Sequence, residues 1–192
     1  MTNGVFSEYE LKEMSIKVLS GQQQTYKSAN CVGSCEETMN SKVVTKKCRG
    51  VVVKTMVRGD GTGTLNISMH IPRDIYLAAY GMDLEGLIEG VKAYGQNSRH
   101  PGIAITQHVY DEDGVEMYKA YPNCIIQSGT SVSIENGADE VQEISLEISV
   151  MPDEYGNGKY EALAEDLPAS GTLTAKTWMT AFTSEAAQEV TA

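Results

Sequence analysis

The side chains best suited to catalysis or metal binding are four cysteines and three histidines, scattered along the 192-residue chain. Cys31 and Cys35 form a C-x3-C pair, but a zinc site normally combines two close pairs of cysteine or histidine. His70, His100 and His108 are not accompanied by a nucleophile motif such as G-x-S-x-G. The sequence therefore predicts no enzyme, no metal site and no cofactor.

Three stretches rich in glycine or acidic residues are explained by turns. DEDG (111–114) and PDEYGNG (152–158) gather carboxylates but lack the ligand spacing of an EF-hand, although adventitious calcium binding at a turn stays open. RGDGTG (58–63) precedes a strand pattern, whereas the glycine loop of a dinucleotide site precedes a helix. We therefore predict a hairpin tip at 58–63 and turns at the two acidic stretches.

The elements carrying these turns show mainly the two-residue period of strands. In VQEISLEISV (141–150) every second residue from Ile144 is apolar, so one face of the strand would meet a core. The other face is acidic and rich in hydroxyls, and it consists of Glu143, Ser145, Glu147 and Ser149. Further strands are predicted at 14–20, 64–71 and 130–137, on both sides of the 111–114 turn, and at 42–57, either as one strand with a bulge or as two in succession.

One region changes to helical periodicity. Residues 73–80 predict a short helix, and Leu84, Leu87, Ile88 and Val91 recur at the spacing of one helix face within 83–95. The segment 161–192 contains a candidate strand at 172–182, whose Trp178 we expect to dock. The predicted fold class is mainly β with one helical interruption (α+β): a β-sandwich or partly closed barrel flanked by a helix at about 73–95. Residues 1–160 would form this domain, and 161–192 a C-terminal extension or arm.

Charge is divided unevenly along the chain. The formal net charge is −11, which argues against a surface that grips nucleic acid. Residues 1–100 carry +2 and the remainder −13. This split fits either a soluble domain with an acidic second half or a chain that stacks on copies of itself. No apolar run approaches the ~20 residues of a transmembrane helix, so no membrane association is expected.

With these elements placed, the sequence resembles the major tail proteins, the tail-tube subunits, of bacteriophages with long non-contractile tails. The resemblance covers residues from about 10 to 160. It rests on three blocks: KKCRGVVVKTMVRGDGTGTLNISMHIPRDIYLAAYGM, YGQNSRHPGIAITQHVYDEDGVEMYKAYPNC and TSVSIENGADEVQEISLEISVMPDEYGNGKYEAL. The C-terminal part from 161 departs from the family pattern.

The resemblance implies a structural subunit of the virion tail, assembled in the bacterial host cytoplasm. Six copies would form a ring, and rings would stack head-to-tail into a conduit through which DNA passes without specific binding. Tape-measure and terminator proteins would be further partners. Glu143, Ser145, Glu147 and Ser149 are the candidate lumen-facing residues, and the alternative is that this face meets ordinary outer solvent. The candidate ring-stacking contacts are Lys42, Lys46, Lys47, Arg49, Arg58 and Asp60.

A second function class remains open from the sequence alone. A carbohydrate- or receptor-binding β-sandwich module would use exposed aromatic side chains beside its turn loops. Tyr110, Tyr118, Tyr121 and Tyr155 are the residues placed to do so.

Overall fold

Eight strands form one antiparallel sheet in the computed structural model, which describes residues 6–20 and 24–188. Every strand pairing is antiparallel. The strands are β1 (Glu8–Val18), β2 (Lys27–Ser28), β3 (Val32–Cys48), β4 (Val51–Met69), β5 (Ile103–Asp111), β6 (Glu116–Ile126), β7 (Ile144–Val150) and β8 (Tyr160–Leu163). The chain is therefore mainly β, as predicted.

The strand order is β2-β1-β5-β6-β7-β4-β3, and β8 pairs with β6 off this path. β3 ends the order on one side. On the other, β2 covers only Ser15 and Ile16 of β1. Within the described residues the sheet is not closed into a barrel, so the strands at its two ends keep open edges.

The alternation in 141–150 is confirmed from Ile144 onward. Leu146, Ile148 and Val150 are fully buried in the main core, whereas Ser145 and Glu147 are exposed. The neighbouring β4 contributes Leu65, Ile67 and Met69 to the same core, and β5 contributes Ile103 and Ile105. The main core thus lies against one face of the sheet, and the polar residues of β7 lie on the other.

Only the first part of the predicted helical region is helical. Helix α1 spans Arg73–Ala79 and packs Ile75 and Ala79 into the core. The helix predicted at 83–95 is wrong. Gly86 and Gly90 have φ of 83° and 84°, a left-handed conformation that interrupts an α-helix, so this segment folds as consecutive turns.

Three strand and turn predictions are also corrected. The hairpin tip predicted at 58–63 lies inside β4, and the actual tip is at Arg49 and Gly50, both with positive φ. Hence 42–57 is two strands in succession, one of the two alternatives. No strand forms at 130–137, which is an exposed loop. The turn at 111–114 is confirmed between β5 and β6.

The C-terminal segment docks as expected, but without the strand predicted at 172–182. A short helix, α2 (Trp178–Ala181), replaces it. Trp178 is buried, and its indole Nε1–H donates to the carbonyl of Lys119 at 3.0 Å. Phe182 packs beside it with ring centroids 5.0 Å apart. These contacts form a second, smaller core on the other side of β6.

An ion-pair cluster draws β3 back over the sheet. The carboxylate of Glu37 on β3 accepts from Lys119 Nζ at 3.0 Å and from Tyr121 OH at 2.7 Å, both on β6. Lys159 Nζ binds its other oxygen at 2.7 Å, and Lys119 also pairs with Glu8 of β1. In a flat sheet β3 and β6 would be roughly 14 Å apart, because neighbouring strands are ~4.8 Å apart. The sheet is therefore curled, and Glu37 ties its edge to its centre.

Replacing Glu37 by Gln tests this tie through its pH dependence. Burial opposes ionisation of Glu37, but hydrogen bonds from Lys159, Tyr121 and Lys119 outweigh it and hold the pKa of Glu37 below its ordinary value. A carboxyl with a lowered folded-state pKa stabilises the fold above its unfolded value, and this contribution is lost as pH falls through the folded value. We expect Glu37→Gln to lower the free energy of unfolding by about 1–3 kcal/mol near pH 7, measured by urea denaturation.

At a pH below the folded-state pKa of Glu37, the difference between wild type and variant should shrink. Glu36→Gln, on the exposed neighbouring position of the same strand, is the matched control and should change stability little at either pH. A Glu37→Gln effect that stays constant through the acid range would show that the charge of Glu37 does not stabilise the fold.

Candidate functional site

Two of the histidines that could serve in catalysis or metal binding make structural contacts instead, and the cysteines form no disulfide. His108 stacks on Tyr118 with ring centroids 4.3 Å apart, and its Nε2 lies 3.2 Å from Glu116. His100 Nδ1 donates to the carbonyl of Ile126 at 2.7 Å. All four cysteines are free. Burial raises the pKa of Cys35 despite a hydrogen bond from Gln107. The thiol of Cys35 therefore ionises less readily to the nucleophilic thiolate.

Neither a metal-binding cluster nor a membrane-spanning helix is found in the described ranges. Across 6–20 and 24–188, no three or more His, Cys, Asp or Glu side chains are grouped so that they could hold a metal ion. No helix in these ranges is long and apolar enough to cross a membrane. Two other features stand out instead: a polar sheet face and a projecting hairpin.

The polar face extends the predicted β7 residues across three strands. Ser145 pairs in register with Ser68 of β4, Glu147 with Asn66, and Ser149 with Thr64. The hydroxyls of Ser68 and Ser145 lie 3.3 Å apart. The same register continues to β3, where the positions opposite these β4 residues are Ser34, Glu36 and Thr38. Because no basic residue occupies these nine positions, the face is acidic and rich in hydroxyls.

Glu143, the fourth predicted lumen residue, lies just before β7. It is exposed, and its carboxylate occupies the space beside Gly33 that a Cβ would fill. The structure therefore brings the four predicted residues onto one exposed side of the molecule, with Ser149 half-buried. Whether this side lines a lumen stays a prediction.

The strands β3 and β4 continue beyond the sheet as a two-stranded hairpin. β7 pairs with β4 only from Gly63 to Met69, whereas β3 and β4 remain paired to Cys48 and Val51. Every residue from 41 to 58 is exposed. We call residues 41–58 the projecting hairpin. An isolated two-stranded hairpin is marginally stable in water. Contact with another surface would therefore stabilise the projecting hairpin.

The projecting hairpin combines one sign of charge with exposed apolar side chains. It carries six basic residues and no acidic residue. Lys42 lies opposite Arg58 and Lys46 opposite Lys54, and like charges at directly opposite positions repel. Between them Val44 faces Met56, and on the alternate face Val43 faces Val57. The large apolar side chains exposed here are Val43, Val44, Val51, Val52, Val53, Met56 and Val57.

Five of the six predicted ring-stacking residues lie on the projecting hairpin. They are Lys42, Lys46, Lys47, Arg49 and Arg58. The sixth, Asp60, lies at the hairpin's base, where its carboxylate accepts from the backbone N–H and the hydroxyl of Thr62. Sequence reasoning selected these residues by charge but missed the length of the hairpin. The signal was the Arg49–Gly50 pair between two β-branched runs.

The base of the projecting hairpin is a wide bulge. Met39 pairs with Gly63 and Ser41 with Gly59, so residues 60–62 of β4 stand opposite Asn40 alone. Gly61 has φ of 78°, and a Cβ there would meet the carbonyl oxygen of Gly156 at 2.7 Å. Gly61 of RGDGTG thus serves a bend and a close backbone approach, not a hairpin tip.

The aromatic residues of the alternative, glycan-binding hypothesis are mostly inside the protein. Tyr121 is fully buried beneath the ion-pair cluster, and Tyr118 is buried between His108 and Trp178. Tyr110 is half-buried, and only Tyr155 is exposed. No exposed platform of these four tyrosines exists, so the structure gives this alternative no specific support.

Comparisons with known proteins give distant similarities only. No protein-family model matches the sequence, and no curated protein matches it. One similar solved structure is described as the anti-feeding prophage baseplate: 10% identity, TM-score 0.42, covering 77% of this chain and 92% of that chain. Another is the anti-feeding prophage tube-terminating cap: 11% identity, TM-score 0.46, covering 85% of this chain and 99% of that chain. At these TM-scores neither structure establishes the fold or function of this chain.

Replacing Gly61 by Ala tests the bend at the base of the hairpin. The new Cβ would meet a backbone oxygen and impose a left-handed conformation that costs an L-residue roughly 1–2 kcal/mol. We expect Gly61→Ala to lower the free energy of unfolding by at least that amount, measured by urea denaturation. Gly59→Ala is the matched control, because Gly59 has no atom near its Cβ position. Equal stabilities of the two variants would contradict a constrained bend at Gly61.

Proposed function

We propose that this protein is a non-enzymatic structural subunit that assembles into rings and stacked tubes, of the kind that forms a bacteriophage tail tube. The observation that carries the proposal is the projecting hairpin. Its charge is +6 on a chain of net charge −11, so the rest of the molecule carries −17. Such a basic and apolar projection is complementary to the acidic body of another copy. A head-to-tail contact of this type does not close on itself and generates a filament.

The open edges of the sheet support lateral association within a ring. β3 is paired on one side only, and β1 is covered on its outer side at only two positions. Unpaired edges of this length are sites of strand addition from another chain. In a ring, the edges of neighbouring copies would pair and so remove the exposed backbone groups. Six copies in each ring follow from the family resemblance.

The polar face supports the assignment of the tube lumen. Glu36 and Glu147 lie on exposed positions of this face among hydroxyl and amide side chains. A surface with this charge repels phosphate, so DNA would slide past without being held. We assign Ser145, Glu147 and Ser149, with Glu143 beside them, to the lumen wall. The complete particle would add tape-measure and terminator proteins.

Electron microscopy of the purified protein tests the proposal directly. We expect rings and tubes as concentration rises, with tube growth weakening as salt increases from low to near-physiological levels. The physical reason is screening, because the Debye length shortens from ~30 Å at 0.01 M salt to ~8–10 Å at near-physiological ionic strength. A protein that stays monomeric at high concentration, or tubes that grow equally well in high salt, would contradict the proposed assembly or its electrostatic basis, respectively.

Charge reversal on the projecting hairpin separates stacking from ring formation. Lys46→Glu with Lys47→Glu should reduce tube length while single rings still form, since both lysines are exposed on the part of the hairpin farthest from the sheet. Arg73→Glu with Lys176→Glu makes the same change in net charge at exposed positions outside the hairpin and the edge strands and should leave tubes intact. Equal loss of rings and tubes would show that this segment is not a ring-to-ring contact.

A further inference from the structure

We infer that the projecting hairpin of one copy docks on two loops at the opposite end of the next copy, and that these loops combine acidic residues with exposed apolar side chains. These loops, residues 82–95 and 127–143, are together called the loop end. The inference rests on the proposed stacking and names the surface that would receive the hairpin. It follows from the position, charge and exposure of the loop end.

The loop end lies at the end of the sheet farthest from the projecting hairpin. On β4, Gly63 near the hairpin pairs with Val150, and Met69 pairs with Ile144 at the other end of β7. Residues 127–143 enter β7 at Ile144, so this loop begins and ends at the Met69 end. A single subunit therefore presents the hairpin in one direction and the loop in the other, as head-to-tail growth requires.

The two loops are held side by side. His100 Nδ1–H donates to the carbonyl of Ile126, the last residue before the 127–143 loop. Its Nε2 accepts from the hydroxyl of Tyr94 at 3.0 Å, because the other ring nitrogen carries the proton. The same hydroxyl lies against Gly129, 3.8 Å from where a Cβ would be. Tyr94 and His100 thus join the end of one loop to the start of the other.

The charge of the loop end matches the charge of the hairpin. Residues 82–95 carry a net charge of −2 and residues 127–143 a net charge of −4, opposite to the +6 of the hairpin. Asp83 is already paired with Lys92. The acidic residues of the longer loop are exposed: Glu135, Asp139, Glu140 and Glu143.

Exposed apolar residues distinguish the loop end from the other acidic regions. Ile134, Val141 and Ile88 are 83%, 82% and 81% exposed, and Leu87, Val91 and Val132 are exposed beside them in sequence. The acidic turn at 111–114 lies at the hairpin end of the sheet and has no large exposed apolar side chain. The acidic stretches beside Tyr9 and Tyr155 each expose one large side chain. The loop end exposes six aliphatic side chains, and so offers the hairpin's valines a larger apolar contact together with opposite charge.

Charge-swapped variants test the pairing. The loop variant changes Glu135, Asp139 and Glu140 to Lys, and the hairpin variant changes Lys42, Lys46, Lys47 and Lys54 to Glu. We expect each alone to form rings but to need on the order of tenfold higher concentration or more to form tubes. Mixed together they should regain tube growth, because each junction then joins opposite charges. Sedimentation velocity and negative-stain microscopy measure ring formation and tube growth, and circular dichroism checks that each variant is folded.

The control is Glu112→Lys with Asp113→Lys, at the acidic turn near the hairpin, which should assemble as wild type does. Tubes of the loop variant that grow as well as wild type, or a mixture that regains nothing, would overturn the docking surface while leaving tube formation standing. Failure of wild type to form rings or tubes would overturn the proposed function itself. Binding of duplex DNA by the hairpin in a gel shift, with wild-type rings that never stack, would identify nucleic acid as its partner instead.

Discussion

The contact that positions the rest of the molecule is the buried bridge between Glu37 and the lysines at 119 and 159. Lys119, with its side chain only 3% exposed, is held between Glu37 and Glu8. Removing Glu37 would leave the buried Lys119 with only the half-exposed Glu8 as its ionic partner. Because Glu37 stands only three residues before the bulge at Asn40, the bridge also fixes where the projecting hairpin leaves the sheet. One polar cluster thus spans the curled sheet close to the point where the hairpin leaves it.

The molecule has two different ends and two different faces. One end carries positive charge and valines on a hairpin that contacts little of its own chain. The other carries carboxylates and isoleucines on loops whose residues are mostly exposed. Across the sheet, the apolar side chains of β4 and β7 enter the core, while their alternate positions form the acidic face. A conduit built from stacked copies would need two complementary ends, so that copies join head-to-tail, and an acidic face to line its channel.

The sequence predicted those elements whose structure depends on neighbouring residues. Alternation in 144–150 identified a half-buried strand, the Asp113–Gly114 pair marked a turn, and 73–80 contained a real helix. The failures arose where tertiary contacts override pattern. At 83–95 the apolar spacing suited a helix, yet Gly86 and Gly90 adopt left-handed turns. At 58–63 the glycines indicated a tip, but Gly61 instead allows a close approach to Gly156 and Gly158. The bridge joins Glu37 to Lys119, 82 positions away, and to Lys159, farther still along the chain, and so has no local signal.

Hydrogen–deuterium exchange, compared below and above the concentration at which wild type assembles, tests the central claim most directly. The account predicts that backbone amides of 41–58, 82–95 and 127–143 gain protection together on assembly, since hairpin and loop end would be buried in the same contact. The 111–114 turn should exchange equally in both states. A hairpin that exchanges as fast in the assembled state as in the free subunit would contradict the claim that it joins one copy to the next.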